Sequence, residues 1–204
     1  MGGRLNASYN CIDRHLATQA NKAAFIWVPE PEAEETRTIT YRELYNRVNG
    51  LAAMLSGFCG LRSGDRVTFH MPMVPDLPVS MLACARLGIV HSEVFGGFSG
   101  AACGGRIADS GSRVLVTIDG YYRDGKWIDH KTKADEAVAV AKQEGVEIEK
   151  VLEMCIRDRV EGPPSSLRAT TGAYSPGCTP LAPAAAQITH VPLTAKWPTS
   201  AWKP

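Results

Sequence analysis

The chain has 204 residues, 45% of them hydrophobic and 21% charged, with 22 Lys and Arg against 21 Asp and Glu for a formal net charge of +1. That is enough for one sizeable core, and near-neutrality argues against nucleic acid or an anionic membrane as the main partner. The average is uneven: positions 154–204 hold 5 basic and 2 acidic residues with 8 of the 13 prolines, whereas positions 1–153 hold 17 basic and 19 acidic residues.

Over residues 1–153, short β-branched or apolar runs alternate with stretches of helical period, the pattern of βα units feeding a parallel sheet. Strands are expected at 25–28 and 36–40. Thr40 then caps a helix whose apolar positions Leu44, Val48, Leu51, Ala52 and Leu55 share one face of a 3.6-residue period. Thr40 and Glu43 have capping-box spacing, and Gly57 is the expected stop. A turn at Arg62, Ser63, Gly64 and Asp65 delivers a buried strand at 67–70. Pro72, Pro75 and Pro78 place the next helix start near Pro78, and Gly88 ends it.

Ile89, Val90, Val94 and Phe95 mark the following strand, then comes the loop Phe95-Gly96-Gly97-Phe98-Ser99, with Ser99 capping a helix through Ala108. Residues 114–118 read as the clearest strand and 119–126 as a loop. Thr132 caps a last helix with Ala134, Ala137, Val138 and Ala141 on one face; Asp135 and Glu136 near its start and Lys142 near its end suit the dipole. From Met154 onward, prolines interrupt every possible helix and the apolar content is mostly Ala, so this stretch is expected not to fold. The expected fold class is α/β, a partial doubly wound parallel sheet with flanking helices over 1–153, followed by a disordered tail over 154–204.

Six cysteines, at 11, 59, 84, 103, 155 and 178, include no C-x-x-C and no zinc-like pairing with His. They read as unpaired thiols of a reducing compartment. No stretch resembles a secretory leader or a membrane span, and a cytoplasmic location is expected.

Gly120-Tyr121-Tyr122-Arg123-Asp124-Gly125-Lys126-Trp127 satisfies a phosphate-binding P-loop pattern except at its last position, where Trp127 replaces the magnesium-binding hydroxyl. The nucleotide-hydrolase reading fails there. What survives is a loop at the carboxyl end of a sheet strand carrying Arg123, a planar fork of donors, and Lys126, a mobile point charge. The pair suits a terminal phosphate; the alternative is a solvated surface turn. In Phe95-Gly96-Gly97-Phe98-Ser99, paired glycines allow a backbone to approach a flat ligand. The alternative is a tight turn packed by its two phenylalanines. His15, His70, His91, His130 and His190 converge on no metal or base arrangement, Asp13 and Glu43 form no catalytic carboxylate pair, and Cys11 and Cys84 lack the flanks of a nucleophile.

The strings LNASYNCIDRHL, RTITYRELYNRVNGLAAML, GDRVTFHMPMVPDLPVSMLACARLGIVHSEVFGGFS and VLVTIDGYYRDGK resemble, in order and spacing, the N-terminal region of the AMP-forming acetyl-coenzyme A synthetases of the adenylate-forming superfamily. The resemblance runs from about residue 2 to about residue 152, with propionyl-coenzyme A synthetases as the nearest competitor. It implies a two-step ligase: acetate and ATP give acetyl-adenylate and pyrophosphate, and the thiol of coenzyme A (CoA) then displaces AMP. It implies ATP, Mg2+, CoA and acetate as the small molecules involved, and neither nucleic acid nor membrane as a partner.

It also implies CoA binding at Arg123, Asp124, Gly125 and Lys126, with Arg123 and Lys126 near the 3′-phosphate, and at Phe95, Gly96 and Gly97 against the same nucleotide end. The family's ATP loop, adenine and ribose motifs, acetate pocket and mobile-domain lysine would lie beyond residue 153. The chain alone is therefore expected to lack ligase activity, and no catalytic or metal-binding residue is assigned. Residues 154–204 depart from the resemblance and are expected to be frameshifted or chimeric. The alternatives are a CoA-binding or nucleotide-binding module without catalysis and an interaction protein with a genuine disordered tail.

Overall fold

Val67, Phe69 and Met71 alternate with Thr68 and His70 along one strand, and all five are buried, so this strand has protein on both faces. A computed structural model describes residues 5–30, 34–154 and, in backbone, 167–171. In chain order the elements are α1 (Ala7–Cys11), a 3-10 turn (Asp13–His15), α2 (Leu16–Gln19), β1 (Ala23–Trp27), β2 (Arg37–Thr40) and α3 (Tyr41–Ala53), which runs into a π turn (Met54–Phe58). Then follow β3 (Arg66–Met71), α4 (Asp76–Leu87), β4 (Val90–Phe95), α5 (Gly100–Ser110) and β5 (Val114–Ile118). The remainder is β6 (Gly120–Arg123), β7 (Lys126–Asp129), α6 (Lys131–Gln143), β8 (Lys150–Met154) and β9 (Leu167–Thr171).

The main sheet has the order β4-β3-β5-β8-β9. The first four strands are parallel and β9 joins the edge antiparallel to β8. Val67, Phe69, Met71, Val114, Val116, Ile118, Leu152 and Met154 pack with residues of α3 and α4 in one core cluster. Val94, Leu115 and Val151 pack with α5 and α6 in the other. Period-2 alternation thus sends each strand's side chains into two helical layers, which is the expected α/β fold.

β3 leads through α4 to β4 on one side, while the next crossover returns to β5 on the other. The order reverses there, and in such sheets ligands bind outside the carboxyl ends of the strands flanking the reversal.

Several boundaries differ from expectation. Thr40 accepts the Glu43 N–H at 3.2 Å as anticipated, but the helix does not stop at Gly57. It continues through a π turn to Phe58, with Gly60 at φ 68 completing the exit. α4 begins at Asp76 rather than at Pro78, because the N–H that Pro78 lacks belongs to the first turn, where it would have no intrahelical partner. Of the stretch expected to be unfolded, Met154 closes β8 and 167–171 forms β9; the rest lies outside the described residues.

The first described segment is pinned by Arg86 near the end of α4, whose guanidinium reaches the Asp13 carboxylate, Asn49 Oδ1 at 2.7 Å and Ser8 Oγ at 3.2 Å. Asn6 accepts the Tyr9 N–H at 3.1 Å to cap α1 and donates to the carbonyls of Ala85 and Arg86. Asn6, Ser8 and Asp13 therefore serve packing.

Candidate functional site

Residues 119–126, expected as a loop, open the hairpin β6–β7. Asp124 and Gly125 have φ of 51 and 69, the two positive values of a type I′ turn, whose twist matches the flanking strands. Asp-Gly was the legible signal, passed over because the flanking runs are only four residues long. Register sets Arg123 directly opposite Lys126 and Tyr122 opposite Trp127. The last two rings meet edge to face with centroids 5.2 Å apart. A Cβ on Gly120 would lie 2.3 Å from the Trp127 ring, so Trp127, the residue that breaks the P-loop pattern, packs across the hairpin. Arg123, Asp124, Gly125 and Lys126 are all exposed, and the Gly125 N–H donates to Glu30 Oε1 at 3.1 Å.

The turn after β4 is built the opposite way. The buried Gly96 donates its N–H to the Met71 carbonyl at 3.1 Å, and a Cβ there would sit 2.9 Å from the Pro72 nitrogen. A Cβ on Gly97 would lie 2.7 Å from the Phe95 ring. Phe95 and Phe98 are 37% and 45% exposed, so they do not pack the turn inward; the Arg106 guanidinium lies 4.7 Å over Phe98. Ser99 caps α5 as expected, accepting the Ala102 N–H at 3.2 Å. By contrast Thr132 does not cap α6: the Asp129 carboxylate accepts both its N–H, at 3.3 Å, and its hydroxyl, at 2.8 Å.

The fold brings the two candidate segments together. The Tyr121 hydroxyl on β6 donates to the Gly96 carbonyl at 3.1 Å, and Lys133 Nζ on α6 donates to the same oxygen at 2.9 Å. The glycine turn and the cationic hairpin are thus two sides of one feature at the carboxyl end of the sheet.

Sequence reading missed a histidine pair beneath it. His70 is the penultimate residue of β3 and His130 precedes α6, sixty residues apart in sequence, yet their ring centroids are 4.3 Å apart and both are fully buried. His130 Nε2 donates to the His70 carbonyl at 3.0 Å, and the Tyr121 ring lies 5.6 Å from that of His130. Burial, with His130 and Lys133 nearby, pushes His70 down to about 3; the Phe98 backbone pulls weakly the other way without hydrogen-bond geometry. Burial likewise pushes His130 down to about 4. Both rings are neutral at pH 7 and brace the base of the hairpin. No spacing rule could have paired them, because only the strand order makes β3 and the start of α6 neighbours.

Cys11, Cys59, Cys84 and Cys103 are free thiols, and burial pushes Cys59 up to about 11 and Cys84 and Cys103 to about 12, which leaves them inert as nucleophiles. Among the described residues, no cluster of three or more His, Cys, Asp or Glu side chains could hold a metal ion, and no helix is long and apolar enough to cross a membrane.

A doubly wound sheet with a buried glycine turn and a pair of exposed cations beside its order reversal defines a protein of the α/β class. The chain matches the AMP-binding enzyme family over residues 12–194 and belongs to it. That match continues well past residue 152, where the sequence resemblance stops. Among similar proteins, the acetyl-coenzyme A synthetase of Methanothrix soehngenii is 45% identical over 157 residues, covering 72% of this chain and 23% of the relative. That of Rhizobium rhizogenes is 48% identical over 150 residues, 74% of this chain and 23% of the relative. That of Leptospira biflexa serovar Patoc is 48% identical over 143 residues, 70% and 22%. The chain spans less than a quarter of the length of these relatives.

Proposed function

We propose that this chain is the CoA-nucleotide-binding part of an AMP-forming acetate-CoA ligase. In that reaction acetate attacks the α-phosphate of ATP, releasing pyrophosphate and forming acetyl-adenylate; the CoA thiol then attacks the acetyl carbonyl, giving up its proton and expelling AMP. Acetate rather than propionate follows the name shared by the relatives. ATP, Mg2+ and acetate act in steps for which no residue of this chain is proposed. A cytoplasmic enzyme fits the free thiols.

The observation that carries the reading is the junction at Gly96, where Tyr121 joins the glycine turn to the hairpin bearing Arg123 and Lys126 and Lys133 holds the same oxygen from α6. In this reading Arg123 and Lys126 hold the 3′-phosphate, Asp124 and Gly125 shape the tip between them, and Phe95, Gly96 and Gly97 lie against the nucleotide base, with the half-exposed Phe95 ring offering a stacking face.

Titration calorimetry of the 204-residue chain with CoA and with 3′-dephospho-CoA tests it. Arg123→Ala is expected to weaken CoA about tenfold or more, in line with loss of a charge-assisted contact, and to leave dephospho-CoA nearly unchanged. Equal loss with both ligands would remove the phosphate assignment.

A further inference from the structure

Tyr121 and Lys133 reach one atom from two different elements, the hydroxyl from β6 at 3.1 Å and the ammonium from α6 at 2.9 Å. A carbonyl oxygen has two lone pairs, so the Gly96 acceptor is filled to capacity. Its own N–H is committed to the Met71 carbonyl at 3.1 Å. One donor would satisfy a buried carbonyl; a second restricts its direction. The directions are themselves set by packing. Tyr121 is only 8% exposed, with its ring against His130, which in turn holds the His70 carbonyl. Lys133 lies in the first turn of α6, where the main chain fits closely against α5: a Cβ on Gly100 would clash with the Lys133 carbonyl. Gly96 is therefore fixed by β3, β6 and α6 together, and the glycine turn cannot shift without disturbing the hairpin.

We infer that Tyr121 and Lys133 are positioning residues: through the Gly96 carbonyl they hold Phe95, Gly96 and Gly97 at a set place relative to Arg123 and Lys126. The consequence for ligand binding rests on the CoA reading above. Neither side chain touches the ligand; both act on the backbone that does. Their loss therefore weakens every ligand that uses the glycine turn, whether or not it carries a 3′-phosphate, which separates them from Arg123.

The test uses the 204-residue chain with Tyr121→Phe, Lys133→Met, the double variant, and Lys133→Arg, which keeps a cationic donor. Amide hydrogen exchange is read at Gly96 and Gly97, and CoA and 3′-dephospho-CoA binding by calorimetry. Tyr121→Phe and Lys133→Met are each expected to speed exchange at Gly96 about five- to tenfold, and the double variant further, with the amides of β5 unchanged. In these variants both ligands weaken by the same factor, whereas Lys133→Arg keeps both protection and binding.

Unchanged exchange at Gly96 in the double variant overturns the inference. So does a Lys133→Met variant that weakens CoA but spares dephospho-CoA, since that makes Lys133 a direct phosphate contact. If the unaltered chain binds neither ligand, the CoA reading fails, and exchange at Gly96 upholds or overturns the positioning role by itself.

Discussion

The glycine turn and the hairpin tip stand side by side but are held by opposite means. In the turn Gly96 is buried, its N–H and C=O are both engaged and the phenyl rings on either side face outward. In the tip every residue from Tyr122 to Lys126 is exposed, and shape comes from two positive φ values at Asp124 and Gly125. One half is therefore held because its neighbours leave no room, and the other is shaped by local chain geometry while its cations stay exposed. In the proposed CoA site the buried half would supply preorganisation and the exposed one charge.

The largest test of this contrast is pH, because the buried half stands on two uncharged imidazoles. Both folded values, about 3 for His70 and about 4 for His130, lie below the ordinary value of 6.5. Above pH 6.5 neither the folded nor the unfolded chain carries these protons, and the pair contributes no pH dependence. Below it the unfolded chain takes up protons that the folded one refuses, so stability falls as pH drops from 6.5 toward 4. Between pH 7 and pH 5 the loss is about 2 kcal/mol for each ring. Urea unfolding across that range, above the titration of ordinary carboxylates, measures it. His70→Phe, which fills the site with an apolar ring, should remove about half of the dependence; an unchanged pH profile would show that the pair does not control it.

Next in size are two glycine substitutions that look alike on paper. Gly96→Ala drives a Cβ to 2.9 Å from the Pro72 nitrogen and 3.1 Å from the Met71 carbonyl carbon, main-chain atoms of β3 and its exit. The expected loss is about 2–3 kcal/mol, the upper range for overpacking. Gly125→Ala meets open space, and only its φ of 69 opposes a side chain, so about 1 kcal/mol is expected. Chemical denaturation of both variants sharpens the contrast: similar losses would mean that the turn yields more easily than its packing suggests.

The same contrast explains what could be read before the fold was seen. Caps and core faces are local, so Thr40, Ser99, Gly88 and the β-branched and apolar run of β5 were legible from the sequence. The hairpin was missed because its strands are only four residues each, too short to show alternation, and Thr132 is no cap because Asp129, three residues before it, takes that role. The His70–His130 contact and the joint hold of Tyr121 and Lys133 on Gly96 depend on strand order, which no window of sequence contains. Arg123 and Lys126 could be named one by one from the sequence; their place beside the glycine turn had to come from topology.

The smallest effect concerns the two cations themselves. Arg123 and Lys126 face each other across the hairpin, and like charges in register oppose strand pairing. Replacing one with an acid, Lys126→Glu, should therefore stabilise the hairpin by a few tenths of a kcal/mol, an exposed cross-strand pair now attracting where it had repelled. The gain should shrink at about 0.5 M salt, where the Debye length falls to a few ångströms. Lys126→Glu should also lose the preference for CoA over 3′-dephospho-CoA, since the new carboxylate repels the phosphate that Lys126 would attract. A more stable chain with a poorer ligand site is what a tip shaped for charge predicts. A Lys126→Glu chain that is less stable at low salt would mean that the two cations are not opposed in solution as the register places them.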